Sequence, residues 1–80
     1  MRIKIPNQLR ERIEHAFEIL RLSTKYSTEF VWDNKLYTLY KKCRSFSPYW
    51  RLYGDDINTN FNEKPSVYHV AREILNTIEK

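Results

Sequence analysis

The pair Asp33-Asn34 lies between two runs of β-forming residues and constrains the fold more than any other feature of the sequence. Residues 29–32 before the pair and residues 35–40 after it are rich in β-branched and aromatic side chains. Both residues of the pair tolerate the positive φ that a two-residue hairpin turn requires. The sequence therefore predicts a β-hairpin over residues 29–40.

A helix is the alternative for this region, because apolar residues between positions 28 and 44 also recur at helical spacing. These residues are Trp32, Leu36, Leu39, Tyr40 and Cys43. A helix would place Asp33 and Asn34 in its interior, where both are unfavourable, whereas the aromatic and β-branched residues fit strands. We therefore favour the hairpin.

Two further strands are predicted beyond the hairpin. Pro48 interrupts the chain, residues 49–53 form a β-forming run that ends at Gly54, and residues 57–61 fit a short edge strand. Strand alternation assigns the hairpin side chains to faces. It puts Phe30, Tyr37 and Trp32 on one face and Val31 with Leu36 on the other.

Helices are predicted at both ends of the chain. Residues 7–22 carry an apolar stripe at helical spacing behind Asn7, which is a favourable N-cap residue. Ser66 is expected to cap a second helix that follows Pro65. The two stripes consist of Leu9, Ile13, Ala16, Phe17 and Leu20 in the first helix and Val67, Val70, Ala71, Ile74, Leu75 and Ile78 in the second.

These elements predict an α+β fold, in the order helix, three- or four-stranded antiparallel sheet, helix, with both helices packed on one sheet face. Residues 1–80 suit one small domain, because a chain of this length can bury only one thin core. The aromatic content of 15% and the hydrophobic content of 41% are too high for a disordered polar chain.

Cysteine content and hydropathy indicate the compartment. The single cysteine, Cys43, cannot form an intrachain disulfide, and no apolar run is long enough for a signal peptide or a bilayer span. We therefore expect a cytoplasmic protein with no membrane partner. One glycine beside many Asn, Lys, Tyr and Ile residues is a bias found in viral, mobile-element and many bacterial proteins.

Positive charge is concentrated in the first two thirds of the chain. Residues 1–26 hold six Lys and Arg against three Glu, residues 27–54 hold five against two acids, and residues 55–80 hold three against five. The net charge of +4 is therefore the sum of +6 and −2. An anionic partner such as nucleic acid fits this distribution.

Catalytic and metal-binding signals are isolated in this sequence. His69 or His15 could act in a small nuclease or toxin-like enzyme, but neither has a recognisable partner motif. Asp56, Asn58 and Asn60 match the start of a calcium loop that then lacks the required glycine and glutamate. We therefore assign no catalytic residue, metal or cofactor and expect a protein that is not an enzyme.

The densest functional signal lies in residues 41–51, which contain four basic residues, three aromatic residues and no acid. Basic side chains attract phosphates, and aromatic side chains stack on bases or bury in a protein partner. The predicted binding residues are Lys41, Lys42, Arg44, Tyr49, Trp50 and Arg51. They indicate a regulatory module, such as a virus- or mobile-element-encoded inhibitor, that docks on nucleic acid or a protein–nucleic-acid complex. A homodimer is the alternative.

Overall fold

The computed structural model describes residues 4–42 and 49–78, which form a helix, four antiparallel strands and a second helix. The helices are α1 (Asn7–Leu22) and α2 (Val67–Ile78). The strands are β1 (Ser27–Trp32), β2 (Lys35–Lys42), β3 (Tyr49–Gly54) and β4 (Asn58–Phe61). The strands neighbour one another in chain order, so the predicted α+β fold is confirmed with four strands. Among the described residues, no helix is long and apolar enough to cross a membrane.

The predicted hairpin forms β1 and β2, and the helical alternative for residues 28–44 is wrong. Asp33 and Asn34 adopt φ values of 53° and 61°, which a two-residue turn between right-twisted strands requires. Phe30 lies opposite Tyr37 and Val31 opposite Leu36, as the alternation predicted. The turn chemistry therefore determines the register of this strand pair.

The start of α1 differs from the prediction by one residue. The carbonyl oxygen of Pro6 accepts a hydrogen bond from the backbone N–H of Arg10 at 3.1 Å, so Pro6 is the N-cap and Asn7 is the first helical residue. Asn7 therefore does not cap the helix with its side chain. At α2, Ser66 Oγ accepts a hydrogen bond from the backbone N–H of His69 at 3.2 Å, which confirms the predicted cap.

Both helices pack on one face of the sheet, which we call the inner face. The core consists of alternate strand residues and one stripe from each helix, and its sheet contribution includes Phe30, Tyr37, Leu39, Trp50 and Leu52. Side chains that lie opposite one another in an antiparallel pair share a face. The remaining strand residues therefore occupy the outer face, which neither helix covers.

Tyr37 is the largest of the fully buried side chains in the core. Its side chain is 1% exposed, and a methyl group at Gly54 would lie 2.9 Å from Tyr37 Cδ1, so only glycine fits beside the ring. Among the described residues, no group forms a hydrogen bond with the Tyr37 hydroxyl. Burial, followed by the nearby carboxylates of Asp33, Asp56 and Asp55, raises the pKa of this phenol.

Replacing Tyr37 with phenylalanine is expected to raise the free energy of unfolding by about 1 kcal/mol, because it removes a buried hydroxyl without a partner. The raised pKa also disfavours the phenolate in the folded state. The wild type should therefore lose stability as the pH rises above about 10, and the variant should lose less. Urea unfolding at neutral and alkaline pH measures both effects. Tyr26→Phe is the control, because Tyr26 is exposed. A Tyr37→Phe protein that is less stable than the wild type would contradict the conclusion that the Tyr37 hydroxyl has no hydrogen-bond partner.

Candidate nucleic-acid interface

The outer face of the sheet carries alternating tyrosines and basic residues on its two central strands. In the β2–β3 pairing, Tyr40 lies opposite Arg51 and Lys42 lies opposite Tyr49. Tyr53 is on the same face, two residues beyond Arg51. Each basic side chain therefore has tyrosine neighbours across or along the strands.

These five residues line a shallow depression with a volume of about 230 Å³. Lys42 is exposed, Tyr53 is half-exposed, and the other three are partly buried. We call this group, Tyr40, Lys42, Tyr49, Arg51 and Tyr53, the tyrosine–basic face. It combines aromatic surfaces with two cationic groups in one solvent-accessible site.

Arg51 is oriented by the edge strand. Its Nε–H donates a hydrogen bond to Asn60 Oδ1 on β4 at 2.9 Å, and the two residues lie opposite each other in the β3–β4 pairing. A guanidinium group has five N–H donors, so the other four stay available to an anion. Asn60 therefore acts as a positioning residue for Arg51.

Lys41 and Trp50 lie on the inner face, away from the tyrosine–basic face. They are opposite each other in the β2–β3 pairing, and Lys41 Nζ lies 6.0 Å from the centroid of the Trp50 ring. Trp50 is 5% exposed and packs edge-on against Phe17 of α1, with a centroid distance of 5.6 Å and an interplanar angle of 88°. Trp50 is therefore a core residue.

Three of the six predicted binding residues, Lys42, Tyr49 and Arg51, come together on the outer face. Arg44 lies outside the described residues. Tyr40 and Tyr53 were absent from the predicted set and join the site. The sequence feature that indicates both tyrosines is their position next to Leu39 and Leu52. A strand that buries those leucines must place the adjacent residues on the opposite face.

The two histidines lie on the helices, away from the tyrosine–basic face. His15 is an exposed residue of α1, and His69 is an exposed residue in the first turn of α2. His69 Nδ1 is 2.9 Å from Ser66 Oγ, the side chain that caps this helix. The cap explains this contact, so the pair provides no specific support for a catalytic role.

Potential metal ligands do not cluster in the described part of the chain, where no group of three His, Cys, Asp or Glu residues comes together. Asn58 and Asn60 lie on β4 opposite Tyr53 and Arg51, so they are outer-face strand residues. Asp56 forms an ion pair with Lys35, in which its Oδ2 lies 3.5 Å from Lys35 Nζ.

Comparisons of the chain with protein families, with curated proteins and with solved structures find no match. Functional inference for this protein therefore depends on the arrangement of its own residues, of which the tyrosine–basic face is the most distinctive.

Proposed function

We propose that this protein is a non-enzymatic binding module that docks on nucleic acid through the outer face of its sheet. The observation that carries the proposal is the tyrosine–basic face, in which Lys42 and Arg51 stand among three tyrosines around one depression. Cationic side chains contact phosphates, and aromatic side chains contact bases. Both classes of contact are available here at neighbouring positions.

Charge pairing supports an anionic partner. The described ion pairs join Arg10 to Glu14 on α1 and Lys35 to Asp56 at the opposite end of β2 from Lys42. Neither Lys42 nor Arg51 pairs with an acid among the described residues. Their charges are therefore not neutralised locally and remain available to phosphate groups.

Acidic groups are sparse on this face. Glu29 is an outer-face residue, but it belongs to edge strand β1 and lies opposite Thr38 rather than beside Lys42. Thr38 in turn lies opposite Tyr53, so Glu29 is two strands away from β3. The positive potential should be strongest where β2 ends and β3 begins.

A homodimer is a second candidate, favoured by an apolar pair on the same face. Val31 and Leu36 lie opposite each other near the hairpin turn and are 48% and 50% exposed. Exposed aliphatic pairs of this kind suit contact with another protein surface. Sedimentation equilibrium over a range of protein concentrations tests this alternative, and Val31→Ser should shift any dimer towards monomer.

Lys42→Ala is expected to weaken binding to a random oligonucleotide at low salt and to flatten its salt dependence. Loss of one phosphate contact should lower the magnitude of the slope of log affinity against log salt by about 0.7–0.9. The matched control is Lys41→Ala, which removes the same charge from the adjacent residue on the inner face. Fluorescence anisotropy across a salt series measures both variants.

Equal slopes for the two lysine variants would contradict the assignment of the interface to the outer face. Lys41→Ala loses a cation–π contact with Trp50, so its thermal unfolding should be measured as well. A stability loss of about 1 kcal/mol or less leaves the control usable. Absence of salt-dependent binding in the wild type would contradict the proposed function itself.

A further inference from the structure

We propose that the nucleic acid held by the tyrosine–basic face is single-stranded, with unpaired bases stacked on its tyrosines and the intervening phosphates held by Lys42 and Arg51. This inference rests on the proposed function and specifies its ligand. It follows from the spacing of the rings, the width of the sheet and the placement of the two cations.

The three tyrosines surround Arg51. Tyr49 and Tyr53 are its outer-face neighbours along β3, and Tyr40 is opposite it on β2. Successive outer-face residues of one strand are about 7 Å apart, and diagonal neighbours across a strand pair are about 7–8 Å apart. The nearest stacking positions are therefore about twice as far apart as stacked bases, which rise 3.4 Å per step.

This spacing discriminates against a duplex. Two adjacent bases cannot remain stacked on each other at 3.4 Å while each rests on a different tyrosine about 7 Å away. In a duplex, moreover, the faces of the bases are covered by their neighbours, and a base must leave the stack before a protein ring can reach it. An unpaired strand has no such restriction, because its bases can splay apart.

The dimensions of the sheet also exclude groove binding through this face. Three strand spacings of about 4.8 Å give a four-stranded sheet a width of about 14 Å between its edge strands, before side chains are added. The major groove of B-DNA is about 12 Å wide and admits a helix or a two-stranded ribbon. The helices of this protein lie on the other side of the sheet.

The cations suit phosphates that lie between stacked bases. Lys42 and Arg51 alternate with the tyrosines. When the bases of a nucleic-acid strand stack on two of the rings, the phosphate between those bases therefore lies near a positive side chain. Asn60 fixes Arg51 through the 2.9 Å hydrogen bond to Nε. This preorganisation reduces the ordering cost of a guanidinium–phosphate contact.

The test compares a mixed-sequence DNA of about 12 nucleotides, the same sequence as RNA, and the DNA duplex formed with its complement. The wild type should bind one or both single strands at least tenfold more tightly than the duplex. Tyr53→Ala should weaken single-strand binding roughly 5- to 150-fold while keeping the salt slope, because stacking is lost and phosphate contacts stay. Tyr53→Phe should bind like the wild type, because it keeps the ring.

Tyr68→Ala is the matched control, because Tyr68 is a similarly exposed tyrosine on α2, behind the sheet. Circular dichroism checks that every variant is folded. Equal binding of duplex and single strands, or equal effects of Tyr53→Ala and Tyr68→Ala, would overturn this inference while leaving a nucleic-acid function in place. Failure of all three probes to bind would overturn the proposed function as well.

Discussion

Trp50→Ala is expected to destabilise the protein by about 3–5 kcal/mol, the usual cost of removing a large aromatic side chain from a packed core. Trp50 is 5% exposed and meets Phe17 edge-on, so it joins β3 to α1. A domain of this size has a total stability of only about 4–12 kcal/mol. The variant should therefore lose a large part of its total stability and unfold at a much lower urea concentration than the wild type.

Urea unfolding followed by circular dichroism measures this loss. Tyr53→Ala is the control on the same strand, and because its side chain is half-exposed on the outer face, its cost should stay below about 1 kcal/mol. Trp50→Phe should recover part of the stability by restoring a ring against Phe17. A Trp50→Ala protein that folds normally but loses oligonucleotide binding would instead place Trp50 in the interface.

Local sequence signals predicted most of the fold because each describes one element. The Asp33-Asn34 turn determines both the existence and the register of the first hairpin, since a two-residue turn leaves no freedom in pairing. Each helical stripe likewise identifies its own buried face. The predicted start of α1 differs from the observed one because Pro6, rather than Asn7, provides the first carbonyl acceptor of the helix.

The candidate interface could be predicted only in part because it depends on how two strands pair. Residues 43–48, between β2 and β3, carry no short turn signature that would determine the register of these strands. Without that register, the prediction rested on the density of basic and aromatic residues along the sequence. It therefore grouped Lys41 with Lys42 and Trp50 with Tyr49. In the sheet, alternation sends Lys41 and Trp50 inwards and their neighbours outwards.

Hydrophobic burial determines which of these adjacent residues face the solvent on the outer side of the sheet. Leu39 and Leu52 lie opposite each other in the core with no exposed surface, and they fix the inward side of β2 and β3. Tyr40 and Arg51 then lie on the outward side. The same packing that stabilises the fold therefore assembles the tyrosine–basic face, so core variants should affect binding only through folding.

The double variant Lys42→Ala/Arg51→Ala is expected to show the largest change in the salt dependence of binding. Two lost phosphate contacts on a single strand lower the magnitude of the salt slope by about 1.4. At 1 M salt, counterion release contributes nothing to the affinity. Extrapolated from that point, the affinity of the double variant should be lower than that of the wild type by roughly 60-fold at about 50 mM salt and by roughly 3-fold at about 500 mM. Anisotropy titrations at these two salt concentrations measure the difference.

Net charge alone would predict the same loss for any two basic residues, so the control removes two charges elsewhere. Arg12→Ala/Arg72→Ala also changes the formal net charge from +4 to +2, and both arginines are exposed residues of the helices. Because these side chains lie behind the sheet, their loss should change only the weak long-range attraction. Comparable losses in the two double variants would show that binding follows overall charge, whereas a much larger loss for Lys42 and Arg51 would locate the phosphate contacts on the outer face.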